Sequence, residues 1–415
     1  VYNQQKPGGV VIHSLNNILG SNHQEINYVV GNGELLNKPT IPYSDTVCEF
    51  LEELSTVLMK HSEAREYPDV IAFAFWCRKA NLAILKKKFL QNNPIRLGRG
   101  IVFHIAPANV PVNFAFSLCF GLIAGNTNIV RISSKNSPQV ELICSILNEL
   151  LQSTFVKLID KIAVIRYEHS NNLTAKLSSI CNARIIWGGD KTIQNIRKFQ
   201  TSPRCVDISF SDRYSISILN SQAIDNITPQ ELSKMASDFY NDTYTMDQNA
   251  CSSPHVILWL GEKSQRGKGK FWNALFKVAL NKYDLTEIKA IDKYSKVLDE
   301  SITSDKIAKF VNMDNVLMYI ELKNISQELH NYRGIFGLFY TCEIENLNQL
   351  ITIINNKYQT VTYYGIDKKE LTNFVIENGI IGIDRIVPVG RALDMDTIWD
   401  GYDVIGYLSR VIDIH

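Results

Sequence analysis

Apolar residues recur at helical spacing through residues 44–65 (SDTVCEFLEELSTVLMKHSEAR), behind a Ser44-Asp45 start, and predict an amphipathic helix; residues 69–92 predict another. The period then changes. Gly98-Arg99-Gly100 leads into a short strand, IVFHIA, then the turn Pro107-Ala108-Asn109-Val110-Pro111 and an apolar helix over 112–123 that ends at Gly125-Asn126. A strand follows at 128–132, and Ser137-Pro138 opens a helix over 138–152. Strands at 161–167 and 183–189 are each followed by helical sequence. Such alternation argues for parallel β-α-β units and a nucleotide-binding type of sheet.

After Pro203 the texture shifts. Residues 206–220 read as strand, 228–241 as helix and 254–260 as strand. The basic, glycine-containing stretch 262–270 (EKSQRGKGK) reads as a solvated loop before a helix over 271–283. Further strands are expected at 315–321, 335–343 and 361–364, with helices between. The pattern divides the chain into 1–205, 206–387 and an aromatic, turn-rich end over 388–415.

With 415 residues, 45% hydrophobic and 20% charged, the chain is long enough for two or three domains and has an ordinary globular composition. Its 43 basic and 42 acidic residues leave a net charge of +1. Bulk charge therefore gives no reason to expect a nucleic-acid partner, although a local basic patch is compatible with it. No apolar run reaches the roughly 18 residues of a membrane-spanning helix, and no charged-then-apolar leader opens the sequence. The eight cysteines include no C-x-x-C pair, and most lie in apolar stretches. No metal site is expected, and the thiols are expected to be reduced in a cytoplasmic protein.

Four places could carry chemistry. Asn109 sits in a Pro-flanked turn between strand and helix, at the sheet edge where ligands of open α/β sheets bind; its amide suits an oxyanion donor or a plain Asx turn. Cys251, in Gln248-Asn249-Ala250-Cys251-Ser252-Ser253-Pro254, is the cysteine in a polar turn, open to a nucleophile's role or an inert one, with His255 as a possible base or a structural histidine. Gly188-Gly189-Asp190 could admit a pyrophosphate to backbone N–H groups or simply turn the chain. Arg131 and Lys135, flanking Ser133-Ser134, could hold a phosphate or be surface cations.

Taken in chain order, these pieces resemble the aldehyde dehydrogenase superfamily and, within it, the long-chain acyl-CoA reductases of bacterial bioluminescence (the LuxC family), over about 95–410. Pro107–Pro111 is similar to the superfamily's P-W-N-F-P turn, which implies Asn109 as oxyanion donor. Gly125-Asn126-Thr127-Asn128-Ile129-Val130-Arg131 resembles G-N-x-V-V-x-K, with Arg131 in place of the cofactor-contacting lysine. Trp187-Gly188-Gly189-Asp190 falls at the glycine turn after the next cofactor strand. Gln248-Asn249-Ala250-Cys251 resembles the nucleophile motif G-Q-x-C, with the Gln one place further from the Cys. Ile335-Phe336-Gly337 resembles E-I-F-G, and the tail VPVGRALDMDTIWDGYD (387–403) is similar to that of the luminescence reductases. The resemblance implies an α/β fold: a Rossmann-type cofactor domain, an α/β catalytic domain carrying nucleophilic Cys251, and a C-terminal segment that packs back on the cofactor domain and serves oligomerisation.

The departures sharpen this. Where the superfamily has its hydrolytic Glu in E-L-G-G, this chain has Ser209-Phe210-Ser211-Asp212, which implies acyl reduction rather than aldehyde oxidation. Ser134-Lys135 stands where NAD-preferring relatives carry a Glu for the ribose 2′-hydroxyl. A hydroxyl and a cation suit a 2′-phosphate, so NADPH is expected, contacted by Arg131, Ser134, Lys135, Gly188 and Gly189. Gly334 stands where a Glu usually holds the nicotinamide ribose. The resemblance further implies a long-chain acyl-CoA or an acylated partner protein as substrate, fatty aldehyde for a bacterial luciferase as product, an acyl-protein synthetase and an acyl-transferring thioesterase as partners, and a homo-oligomer. Two other readings stay open: a hydrolytic aldehyde dehydrogenase using Asp212 or Asp247 as base, and a non-catalytic acyl- or nucleotide-binding scaffold.

Overall fold

The computed structural model describes residues 4–6, 10–20, 25–91, 94–261, 264–303 and 305–415. They form two compact units, Val1–Ser211 with Met395–His415, and Asp212–Asp394.

The first unit is built on β1 (Asn27–Val30), β2 (Ile101–Ile105), β3 (Thr127–Ile132), β4 (Ile162–Arg166), β5 (Ala183–Trp187) and β6 (Val206–Phe210), in the order β6-β5-β2-β3-β4-β1. Neighbours are parallel except β1, which runs against β4. Every residue of β2 and β5 is buried, as strands covered on both faces must be. Helices α1 (Asp45–Lys60), α2 (Pro68–Trp76), α3 (Lys79–Leu90), α4 (Asn113–Ile123) and α5 (Pro138–Gln152) pack on one face. The other face is covered by α6 (Asn171–Ile180) and α7 (Asp190–Arg197). The chain thus winds outward in both directions from β2, so the connections after β2 and β5 leave on opposite faces and open a crevice at the carboxyl edge.

The second unit carries β7 (Tyr214–Leu219), β8 (Pro254–Leu260), β9 (Ile307–Met313), β10 (Leu317–Leu322), β11 (Leu338–Ile344), β12 (Tyr358–Tyr364) and β13 (Arg385–Pro388), ordered β9-β10-β11-β8-β7-β12-β13 and parallel except for β9. Strand β8 lies at the centre. Helices α8 (Ser221–Asn226), α9 (Pro229–Thr243) and α10 (Gln265–Lys282) share one core, and α11 (Glu287–Thr303) and α12 (Lys368–Glu377) contribute to the other.

Four expectations change. The division falls at 211/212, not 205, because Val206–Phe210 pairs in register with Ala183–Trp187 and Phe210 stacks on Trp187 at 3.9 Å. The stretch 206–220 is therefore two strands in two sheets. At the other end the division is 394/395, not 387: Arg385–Pro388 pairs with β12, and Asp242 accepts the N–H groups of Gly390 (2.6 Å) and Ala392 (2.8 Å). Residues 69–92 form two helices, since Arg78 is extended and its guanidinium lies 3.1 Å from the centre of the Phe75 ring. Residues 262–270 are helical from Gln265, with Glu262 and Lys263 outside the described residues. There Ser264 caps the Gly267 N–H at 2.9 Å, and a Cβ on Gly267 would meet the Ser221 oxygen at 1.9 Å, so that glycine serves helix packing and not a turn.

Residues 395–415 belong to the first unit. Trp399 and helix α13 (Val404–Leu408) enter its core, Ser409–Val411 pairs antiparallel with Arg96–Gly98, and Trp76 Nε1 donates to Met395 O at 3.0 Å.

Candidate active site

A cleft of ≈ 700 Å³ opens at the carboxyl edge of the first sheet. Asn109 enters it from the loop after β2, Arg131 from the end of β3, Tyr167 from beyond β4, and Gly188 and Gly189 from the turn after β5. Four of the seven residues singled out in the sequence thus share one cavity. Asn109 is exposed, and its amide has no hydrogen-bond partner among the described residues. The Arg131 guanidinium lies 5.2 Å from the centre of the Tyr167 ring. A Cβ on Gly189 would meet nothing within 4 Å, so the glycine turn faces open space beside the first turn of α7. Ser134 and Lys135 do not line the cleft. The Ser134 hydroxyl donates to Tyr167 O at 3.4 Å, and exposed Lys135 bonds through its backbone N–H to Ser133 Oγ at 3.2 Å.

Beneath the cleft lies a buried polar relay that the sequence reading missed. His104 on β2 faces Ser117 Oγ through Nδ1 (2.8 Å) and Asn128 Oδ1 through Nε2 (3.0 Å). Burial pulls this imidazole down to about 4, so it is neutral. Asn128 Oδ1 only accepts, which puts the proton on Nε2; Ser117 O–H then donates to Nδ1, and Trp187 Nε1 donates to Ser117 Oγ at 3.0 Å. The relay fixes Trp187 immediately before Gly188. It fits only because residue 121 is glycine, where a Cβ would lie 1.8 Å from Asn128 Oδ1. The available signal was a His and an Asn set inside otherwise apolar strands.

Arg131, Lys191 and Lys198 give the cleft its charge, and no Asp or Glu is among the described residues that line it. A cationic, carboxylate-free groove with an open glycine turn at a helix start suits a dinucleotide's phosphates.

Cys251 lies in the second unit, in the turn before central strand β8, partly exposed. Its carbonyl accepts from Ser215 Oγ at 2.6 Å, and the same Ser215 oxygen accepts the Thr360 N–H at 3.1 Å, which ties the turn to β7 and β12. Asp247 and Gln248 are both left-handed, with φ of 53° and 61°. This conformation turns the Gln248 amide inward, where Nε2 donates to Leu338 O (3.0 Å) and Oε1 accepts from Gly337 N (2.9 Å). The Gln248 amide thus holds the backbone of Gly337 and Leu338 just before β11 begins its pairing with β8 at Tyr340. Lys293, buried without a carboxylate partner among the described residues, donates to Phe336 O (2.7 Å) and to Asn315 O; burial pulls its ammonium down to about 8.

The other titratable candidates are engaged. His255 bonds Gly334 O through Nδ1 at 3.1 Å; burial, with help from the Arg333 charge, pulls it down to about 3. Asp212 accepts both Arg333 Nη atoms at 3.0 Å. Asp247 accepts from Tyr283 OH (2.5 Å) and Lys289 Nζ (3.1 Å). At Gly334 a Cβ would lie 1.8 Å from Leu338 O, so this position has no room for a glutamate.

The sequence profile of the LuxC acyl-CoA reductases matches residues 86–411. A long-chain acyl-protein thioester reductase of Aliivibrio fischeri is 22% identical over 320 residues, covering 71% of this chain and 61% of that protein. One of Vibrio harveyi is 24% identical over 311 residues, covering 70% and 59%. The match thus spans about three-fifths of these relatives' length. Among solved structures, Bradyrhizobium japonicum proline utilization A (mutant D778Y) superposes with a TM-score of 0.62 at 11% identity, over 89% of this chain and 42% of that one. A Corynebacterium glutamicum NAD-dependent benzaldehyde dehydrogenase gives 0.59 at 9%, over 89% and 84%. These likenesses concern the fold, and the fold and family together fit an oxidoreductase with a nicotinamide cofactor. No described helix is long and apolar enough to cross a membrane. Because the profile runs through both units, the chain belongs to the LuxC acyl-CoA reductase family and carries the aldehyde dehydrogenase fold.

Proposed function

We propose that this protein reduces a long-chain acyl thioester, of coenzyme A or of a partner protein, to the fatty aldehyde through an acyl-enzyme on Cys251, with NADPH as reductant. The observation that carries the reading is the Cys251 turn, a partly exposed thiol at the head of the central strand, held by Ser215 and by the Gln248 bridge within the matched family region. The Cys251 thiolate attacks the thioester carbonyl and expels the leaving thiolate. The Asn109 amide donates to the oxyanion; one such donor is worth about 3–4 kcal/mol in the transition state. A nicotinamide held in the cleft would supply the hydride that the acyl carbon takes up. Collapse of the thiohemiacetal then releases aldehyde and the Cys251 thiolate.

Arg131, Gly188 and Gly189 would hold the cofactor's phosphates and ribose, with Lys191 and Lys198 adding positive charge. A carboxylate-free groove favours the extra 2′-phosphate of NADPH, which Ser134 and Lys135, just outside the lining, would meet only if the cofactor reaches past Ser133. Asp212 and Asp247 are each held by cations, which counts against either as the base of a hydrolytic enzyme. The relatives' names support an acyl-protein substrate. An acyl-protein synthetase and an acyl-transferring thioesterase would supply the acyl group, a luciferase would consume the aldehyde, and the enzyme would work as a cytoplasmic homo-oligomer.

Intact-protein mass after incubation with tetradecanoyl-CoA, then with NADPH, tests this. A single acyl adduct, absent from Cys251→Ala, should vanish on adding NADPH as tetradecanal appears. An adduct that decays without cofactor would favour hydrolysis. Aldehyde output unchanged in Cys251→Ala would favour the scaffold reading.

A further inference from the structure

At the amino edge of the first sheet, the end opposite the cofactor-type cleft, four arginines converge from distant stretches. Arg96 and Arg99 precede β2, Arg204 precedes β6, and Arg410 lies on the C-terminal strand Ser409–Val411. Strands of five residues put this edge about 15 Å from the carboxyl edge. Arg99, Arg204 and Arg410, with Asn182, line a recess of ≈ 170 Å³, which continues into a wider one of ≈ 540 Å³ that adds Arg96 and Tyr407.

In the narrower recess no carboxylate among the described residues offsets the charge. Six arginines elsewhere meet carboxylates: Arg166 with Glu141, Arg184 with Asp207, Arg213 with Asp384, Arg266 with Asp225, Arg333 with Asp212 and Arg391 with Asp394. Among the described residues, Arg99, Arg204 and Arg410 are in no ion pair. Asp403 borders the wider recess, but one of its carboxylate oxygens accepts the Gly406 N–H that caps α13. Folding has brought like charges together: burial and the Arg96, Arg204 and Arg410 guanidiniums all weaken Arg99's hold on its proton. The fork is also oriented in advance. Arg99 Nε donates to Tyr407 O at 2.5 Å, which leaves its two terminal nitrogens for a ligand, and Arg96 Nη1 donates to Gly406 O at 3.0 Å. Guanidiniums arranged around a small concavity match the tetrahedral face of a phosphate, which they bind in bidentate fashion, better than they match an extended acidic peptide.

We propose that this recess binds the phosphate groups of a small phosphorylated molecule, a phosphate dianion or pyrophosphate held by Arg99, Arg204 and Arg410. It is a second anion site, separate from the cofactor cleft.

Calorimetric titration of the full chain at low ionic strength, with inorganic pyrophosphate as first probe and ATP as second, tests the assignment. With the cleft saturated by NADPH, one further site is expected, at least tenfold weaker in Arg204→Ala/Arg410→Ala, whose exposed substitutions should leave the thermal melt unchanged. NADPH binding that survives in the double variant reports the cleft; its failure in both proteins would count against the proposed function and not against this site. ATP binding more tightly than pyrophosphate would identify a nucleotide as the source of the phosphates, and equal binding an inorganic one. Absence of pyrophosphate binding, or equal binding by the double variant, would overturn the proposal. So would a self-association lost in the double variant without any pyrophosphate heat, since the arginines would then be neutralising carboxylates of a second copy.

Discussion

The Gln248 bridge gives a sharp test of how the Cys251 turn is held. Gln248→Ala removes the donor to Leu338 O and the acceptor of Gly337 N–H, both inside the protein and both ahead of the β8–β11 pairing, which starts at Val256 and Tyr340. Each orphaned buried group costs about 1–3 kcal/mol, so the second unit should lose roughly 2–6 kcal/mol. Gln248→Gly removes the same two bonds but relieves a non-glycine residue at φ 61°, a conformation that costs an L-residue about 1–2 kcal/mol. The glycine variant should therefore be more stable than the alanine variant by about 1 kcal/mol, the reverse of the order in regular structure. Urea unfolding followed by tryptophan fluorescence reads this, because Trp259 and Trp272 lie in the core beside α10. An alanine variant within about 0.5 kcal/mol of the parent, or a glycine variant below the alanine one, would refute the reasoning.

Other expectations follow from single contacts. Gly334→Glu should unfold earlier and bind NADPH no more tightly, because its Cβ meets the Leu338 carbonyl and the side chain cannot reach a cofactor; a stable variant with tighter NADPH binding in a fluorescence titration would contradict this. Gly121→Ala should cost about 1–3 kcal/mol or more by driving a Cβ into Asn128 Oδ1 and breaking the His104 relay, and an unshifted melting curve would argue against the relay. Burial raises the Asp242 carboxyl to about 7 against the N–H groups of Gly390 and Ala392, which favour its charged form. A carboxyl whose folded pKa lies above its unfolded 3.8 contributes stability that is complete below 3.8 and is lost as pH rises through about 7. Asp242→Asn should flatten that decline between about pH 4 and pH 7 while losing one accepted N–H bond; a urea midpoint with an unchanged pH slope would be evidence against it. Cys205 faces Cys181 across 3.8 Å, and donation from the Cys181 S–H lowers the Cys205 pKa. Iodoacetamide should label Cys205 before buried Cys77, Cys119 and Cys144, as peptide mapping would show.

Much of the first sheet was legible because strands buried on both faces appear as short, unbroken apolar runs between turn signals, as in 101–106 and 183–187. Asn109 and Gly188-Gly189 were legible from their turns. Sheet membership was not: the run 206–220 is apolar on both sides of Asp212-Arg213, and only hydrogen bonding shows that its halves belong to different sheets. Gly267 looked like a loop residue because composition does not reveal a helix carbonyl at 1.9 Å. Gly334 looked like a lost glutamate, whereas the Leu338 carbonyl occupies the space a side chain would need. Ser134 and Lys135 fell one step outside the cleft they were expected to line, since the strand end that delivers Arg131 turns away at Ser133. The arginine recess could not be found by spacing, because residues 99, 204 and 410 meet only through three separate chain returns.

The split first unit also dictates an order of events at the ribosome. Trp399, Val404, Ile405 and Leu408 close a core whose other members were all made before residue 211, and Asn126 waits for the Leu408 carbonyl to satisfy its amide. Between them the ribosome must translate Asp212–Asp394, which at about 5–20 residues per second takes roughly 10–40 s. Throughout that interval the nascent first unit presents an apolar gap along α4, which α13 later covers, and Arg96–Gly98 offers an unpaired strand edge. Chaperone occupancy on translating ribosomes should therefore persist until residues 395–411 have left the exit tunnel, even though the second unit is complete before then.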